Sequence, residues 1–176
     1  MGQSSTFYEI KKTDFNKIKN EVSLFKIQET ESMETLEQNA FGVEFILKKL
    51  FNTKHHEIIE QIFNPKEFLG EKPDYENMNF DEIDFSEITD NSISYLEPDQ
   101  IVKIDNLLNS ISNSEIGEKY NSSELNSNGV YPEVWHDDES DDQAFNKRHI
   151  CEGYEQLKSI FNRANENENY IFIFSG

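Results

Sequence analysis

The sequence predicts an α+β fold: a single compact domain over residues 1–176, with a mostly antiparallel sheet that includes the N- and C-terminal strands and is packed with several helices. Three observations lead there. Short apolar segments with strand character stand at both ends, Ser5 to Ile10 and Tyr170 to Phe174. Two interior segments carry apolar residues at alternating steps of four and three, the mark of one helical face. Leu, Ile, Val and Phe together number 47 of 176 residues, above the roughly 20% level of disordered chains. The chain is polar, with 35% hydrophobic and 29% charged residues, yet it holds enough apolar material for one core.

Along the chain, the opening strand is followed by Thr13, placed to cap a helix running from Asp14 through Ile18 and Val22. Glu29 to Glu37 is acidic and weakly patterned. Leu36, Ala40, Val43, Leu47 and Leu50 then trace one helical face, with Ser32 as its cap. Phe41, Phe45, Ile46 and Phe51 widen that stripe, which predicts burial on more than one side. Ile58, Ile59, Ile62 and Phe63 mark a short helix ending before Pro65. In the acidic stretch after it, Phe80, Ile83, Phe85 and Ile88 alternate with acids, as an amphipathic piece or an aromatic-anchored loop would.

Pro98, followed by Asp99, is a helix start, and Ile101, Ile104, Leu108 and Ile111 give the buried face of that helix. Residues 112–129, rich in Asn and Ser, read as a polar connection. Ile150, Tyr154, Leu157, Phe161 and Ala164 define the last helix, which Asn165 to Asn169 ends. The closing strand is apolar on both sides, so it belongs in the middle of the sheet or under helices, near Phe7 to Ile10.

The formal net charge of −19 is concentrated. Residues 64–94 carry nine acids against two bases and residues 131–142 six acids and no base, so these 43 residues hold −13 of the total. Such a field repels nucleic-acid backbones, and no basic stripe offsets it. It favours encounter with a basic protein, or serves solubility alone. The longest apolar run, Tyr170 to Phe174, is far shorter than the ~20 residues of a membrane-spanning helix. Gly2 to Thr6 fits a myristoylation pattern, but the strand that starts at once makes this an unpromising signal. One cysteine, Cys151, leaves no intrachain disulfide and no cysteine-rich zinc site, and the expected location is the cytoplasm.

Tyr95-Leu96-Glu97-Pro98-Asp99-Gln100-Ile101, the segment Gly129-Val130-Tyr131-Pro132-Glu133-Val134-Trp135 with the acids behind it, and the closing helix and strand follow one another in a recognisable order. In that order they resemble the YfbM-like family of bacterial proteins of unknown function. Glu97 departs from the family, standing where a Thr-type cap is common. The resemblance implies a compact α+β domain and supplies no catalytic residues.

The candidate binding residues are Tyr131, Trp135, Asp137, Asp138, Glu139, Asp141 and Asp142. An aromatic pair beside a proline can anchor a partner, or Trp135 can plug the core while Pro132 sets a turn. The acids lack the glycine and spacing of a calcium loop, and a solvated loop that also feeds negative charge to the next helix is the simpler reading. Adjacent His55 and His56 would point about 100° apart on a helix and cannot share one ion. Cys151 reads as a small buried residue rather than a nucleophile. No phosphate loop, zinc-protease helix, nucleophile elbow or dinucleotide fingerprint occurs, and no cofactor or metal is expected. The resulting expectation is a non-enzymatic acidic interaction module, with an immunity-type inhibitor of a basic partner as one version. The alternative is a small hydrolase or transferase with a carboxylate-lined pocket.

Overall fold

The computed structural model describes residues 3–27, 30–71, 92–140 and 142–176. The expected amphipathic piece around Phe80, Ile83, Phe85 and Ile88, and Asp141, lie outside the described residues. Among the described residues the chain forms β1 (Ser5–Ile10), α1 (Lys12–Asn20), β2 (Ser32–Leu36), α2 (Ala40–Leu50), α3 (His56–Phe63), β3 (Phe68–Leu69), β4 (Ile93–Leu96), α4 (Pro98–Asn109), α5 (Asn113–Lys119), α6 (Ser122–Ser127), α7 (Lys147–Glu166) and β5 (Tyr170–Ser175). The fold is α+β. The strands form one sheet in the order β2-β1-β5-β4-β3, every pair antiparallel.

The terminal strands are neighbours, with Phe7 opposite Ile173 and Tyr8 opposite Phe172, and β5 lies at the centre. Alternation along β5 separates its side chains. Ile171 and Ile173 join Phe7, Leu36 and Leu96 in the core beneath the helices. Phe172 joins Tyr8, Ile10 and Tyr95 on the other face, which Phe15 and Ile18 of α1 cover. That second core is aromatic: Phe15 stacks on Tyr170 at 3.7 Å, and Phe25 stacks on Phe174 at 5.4 Å. α7 spans the main face, packing on α2, α4 and α5 and on β1 and β2.

Several expectations need correction. The segment from Ser32 to Leu36 is strand β2, so Ser32 caps nothing and Leu36 belongs to the sheet. Its pattern is weak because its polar residues have partners. Ser32 Oγ donates to Glu9 Oε2 at 2.6 Å, and Glu34 pairs with Arg163 at 3.0 Å. α1 starts at Lys12 rather than after Thr13, with Phe15 N–H donating to Lys11 O at 2.8 Å, because the chain turns directly from β1 to reach the second face. It ends at Asn20, and Val22–Leu24 forms a separate 3-10 turn. Residues 112–129 are not a plain connection. Ser112 and Glu115 cap α5 reciprocally, and the Asn121 side chain accepts from Glu124 N–H to start α6. Phe41 does not join Ala40, Val43, Ile46 and Leu47 of α2 in the core but is 37% exposed.

A buried carboxylate ties the sheet to α7. Glu9 of β1 is 2% exposed and accepts from Ser32, from Asn167 Nδ2 at 3.0 Å and from Asn169 Nδ2 at 2.8 Å. Burial pushes its pKa up, but the hydrogen bonds from Ser32, Asn169 and Asn167 and the charge of Arg163 outweigh that and hold it below the ordinary value of 4.5. Asp105 of α4, also buried, accepts from Asn109 and, at 2.8 Å, from Asn165. The asparagines that end α7 therefore bind two carboxylates at once. The helix stops by placing Glu168 at φ 53, with Asn169 N–H donating to Ala164 O at 2.9 Å and Glu168 N–H to Asn165 O at 3.2 Å.

Glu9→Gln removes the charge that these donors surround and should cost roughly 2–4 kcal/mol in denaturant unfolding at neutral pH. Because the folded carboxyl titrates below its ordinary value, its stabilisation is complete above pH 4.5 and is lost as pH falls through the lower folded value. Wild type should therefore lose stability more steeply than the variant below that pH. Parallel acid limbs in the two proteins would show that Glu9 is not the titrating group. Glu168→Gly, which relieves the left-handed backbone, should instead raise stability by about 0.5–1 kcal/mol.

Candidate functional site

Among its described residues the segment from Gly129 to Asn146 has no regular secondary structure, yet it is held at both ends and in the middle. α6 stops in a turn that requires positive φ at Gly129 (66°), with Gly129 N–H donating to Asn126 O and Val130 N–H to Leu125 O. A turn from Val130 to Glu133, containing a cis Tyr131–Pro132 bond, follows and is closed at 2.9 Å. Trp135 then enters the core at 3% exposure. Its indole N–H donates to Val130 O at 2.8 Å. The Asn126 side chain brackets its backbone, accepting from Trp135 N–H at 2.9 Å and donating to Trp135 O at 3.0 Å.

The next residues are fixed from beneath. His136 N–H donates to Phe145 O at 2.9 Å, and Tyr120 O–H donates to His136 O at 2.6 Å. Burial, followed by the charge of Asp137, pushes the Tyr120 phenol up to about 12, so it remains a neutral donor at physiological pH. Asn146, fully buried, caps α7 by accepting from His149 N–H and donates Nδ2–H to Asp138 O and Gln143 O, each at 2.9 Å.

The acids face outward from this support. Glu133, Asp137, Asp138, Glu139 and Asp142 are all exposed. Asp138 accepts from Ser140 N–H at 2.9 Å, and the Ser140 backbone and hydroxyl hold its carboxyl below the usual range. Glu139 pairs with Lys147 at 2.6 Å, at the first residue of α7. Tyr131 is half-buried and meets Phe41 edge to face at 5.8 Å. Phe41 also lines a cleft of about 320 Å³ with Glu44, Phe63 and the paired chain ends near Ser4 and Ser175. Val134 is 48% exposed. The surface thus has apolar groups at Phe41, Tyr131 and Val134 beside a row of carboxylates.

Of the expected binding residues, Trp135 is not available to a partner. Its ring packs edge-on against Tyr120 and Phe145 at 6.5 and 6.1 Å and lies over Gly42 of α2. The sequence carried no sign that Gly42 leaves room for it. His55 and His56 do not converge. His55 closes a 3-10 turn against Asn52, while His56 Nε2–H donates to Lys48 O at 2.9 Å. Cys151 is half-buried near Asn113 O, and burial pushes its thiol up. Among the described residues no three His, Cys, Asp or Glu side chains gather as a metal site would require, and no helix is long and apolar enough to cross a membrane.

A family model described as domain of unknown function (DUF1877) matches residues 1–174, and the chain belongs to that family. It is similar to the crystal structure of a protein of unknown function, YfbM, from Escherichia coli. The TM-score is 0.63 at 14% identity, over 98% of this chain and 99% of that one, so the likeness is one of fold. No curated protein matches.

The packing of Trp135 makes a sharp prediction. Alanine normally stabilises a helix relative to glycine by about 1 kcal/mol. At Gly42 a Cβ would lie 2.5 Å from Ile150 Cδ1 and 2.6 Å from Trp135 Cη2, so Gly42→Ala should destabilise by about 1–3 kcal/mol. The emission of the single tryptophan should shift red as its ring is pushed outward. An unchanged or higher melting temperature would mean that the indole is not seated against α2.

Proposed function

We propose that this domain is a non-enzymatic interaction module whose pre-formed acidic loop docks a basic protein. The observation that carries the reading is the support beneath the loop. Trp135, Asn126, Tyr120 and Asn146 hold its backbone, while its carboxylates are left exposed. A solubility feature needs charge but no fixed geometry. A binding loop gains from both, since ordering it in advance removes a cost of association. The apolar residues Phe41, Tyr131 and Val134 beside the acids supply the kind of desolvated centre on which protein interfaces depend. An immunity-type inhibitor of a basic partner is one form this function would take, in the cytoplasm.

The alternative, a hydrolase or transferase with a carboxylate-lined pocket, would centre on the cleft at the start of α7, which Glu37, Glu152 and His149 help to line. Its one lining hydroxyl, Thr35, is hydrogen-bonded to Thr6 at 3.1 Å, and the His149 ring bonds Asn146 through Nδ1. Neither is arranged as a nucleophile with its base.

Association with a partner captured from the native host should weaken steeply as salt rises through the physiological range, where the Debye length is ~8 Å. Asp137→Lys together with Asp142→Lys should slow association at least tenfold while leaving the unfolding midpoint nearly unchanged, since both side chains are exposed. Unchanged association rates in that variant would reduce the acids to a solubility role.

A further inference from the structure

We propose that the face of the sheet carrying α1 is a docking surface for an anionic lipid bilayer. This surface lies on the other side of the sheet from the acidic loop and does not depend on what the loop binds.

One short helix and one 3-10 turn cover this face. Phe15 and Ile18 of α1 turn inward. Phe25, just after the Val22–Leu24 turn, points to the sheet and meets Tyr8, Phe172 and Phe174 at 5.7, 5.4 and 5.4 Å. With Phe25 directed to the sheet, Leu24 and Ile27 on either side of it are left exposed. Met33 of β2 stands opposite Tyr8, so its side chain lies on the same face, at the edge of that aromatic cluster. Ile27 and Met33 are each 51% exposed. One exposed apolar side chain would need no explanation, but three around one aromatic cluster mark a contact surface.

The charge around them is opposite in sign to that of the chain as a whole. Residues 11–27 carry five lysines against two acids, in a chain of formal net charge −19. All five lysines are exposed. Lys11, Lys17 and Lys26 line one cleft together with Ile18, Leu24 and Phe25, so cationic and apolar side chains share a surface. Lys17 meets Asp14 and Lys11 meets Glu31, each at 2.7 Å. Both pairs are exposed, where an ion pair contributes little and lipid phosphate can replace the carboxylate.

The acids that would oppose docking are placed elsewhere. Trp135 roots the acidic loop in the core on the helical side of the sheet, whereas Phe15 and Ile18 root α1 in the core on the other side. The acidic stretch that follows β3 departs from the sheet edge farthest from β2. Exposed charges further apart than ~8 Å are largely screened at physiological salt, so a surface in contact with α1 feels the local lysines first.

A bilayer matches this combination at two depths. Its phosphate and carboxylate groups meet the ammonium heads of lysines, whose long stems reach outward. The acyl boundary just below accepts apolar side chains that project from the same surface. Docking of this kind needs no spanning segment. An acidic protein would satisfy the lysines, but nothing in their charge calls for Leu24, Ile27 and Met33 beside them.

The test uses the whole protein and vesicles of defined composition. Co-sedimentation is expected with phosphatidylcholine vesicles containing about 30% phosphatidylserine and not with pure phosphatidylcholine. Salt at ~1 M, where the Debye length is ~3 Å, should release the protein. Leu24→Ser with Ile27→Ser, and separately Lys17→Glu with Lys26→Glu, should each weaken partitioning about tenfold. All four positions are exposed, so both variants should keep unfolding midpoints near that of wild type. Asp137→Lys with Asp142→Lys, on the far side, should leave vesicle binding undiminished.

Absence of binding to the anionic vesicles would overturn the proposal, as would equal binding to pure phosphatidylcholine. Full binding by the Leu24 and Ile27 variant would show that no apolar side chain enters the bilayer, which also overturns it. Poly-glutamate binding as tightly as the vesicles would assign this face to an acidic protein instead of a lipid surface.

Discussion

β5 is apolar on both sides and therefore has to be covered on both sides, and most of the architecture follows from that constraint. It occupies the centre of the sheet, between β1 and β4. Its isoleucines face the helices and its aromatic residues face α1. α7 leads directly into it, so the helix lies across the main face with its C-terminal end over β1 and its N-terminal end at the acidic loop. The position of the candidate site is thus set by a strand that takes no part in it.

What the sequence made legible was the apolar periodicity. β1, β5, the proline start of α4 and the stripe of α7 were all readable, because burial on a regular element leaves a period of two or 3.6 residues. β2 was not, since its inward residues Ser32 and Glu34 are polar and their partners, Glu9 and Arg163, are distant in sequence. α5 and α6 have the composition of a polar connection, although Ser112 with Glu115 and Asn121 with Glu124 follow the spacing of capped helix starts. Trp135 was legible as a core residue but not as the support of a loop, because that role depends on a glycine, Gly42, in another helix. The cleft at His149 was invisible, since its two walls are more than a hundred residues apart.

The polar composition, with a mean hydropathy of −0.76, is put to structural use. Asparagine recurs wherever the chain needs a donor and an acceptor in one rigid plane. Asn126 brackets the backbone of Trp135, Asn146 joins the loop to α7, and Asn165, Asn167 and Asn169 engage Asp105 and Glu9. These amides do at loop and helix ends what apolar packing does in the core. They also explain how a chain with so few hydrophobic residues can present an ordered irregular segment.

That order is the central claim, and backbone relaxation of the amides from Tyr131 to Ser140 tests it without any partner or ligand. A loop held by Trp135, Asn126, Tyr120 and Asn146 should give order parameters close to those of α7, about 0.85. Values below about 0.6 across the same residues would describe a floating acidic strand. In that case the acids would be a solubility feature, and the proposed pre-formed docking loop would be contradicted.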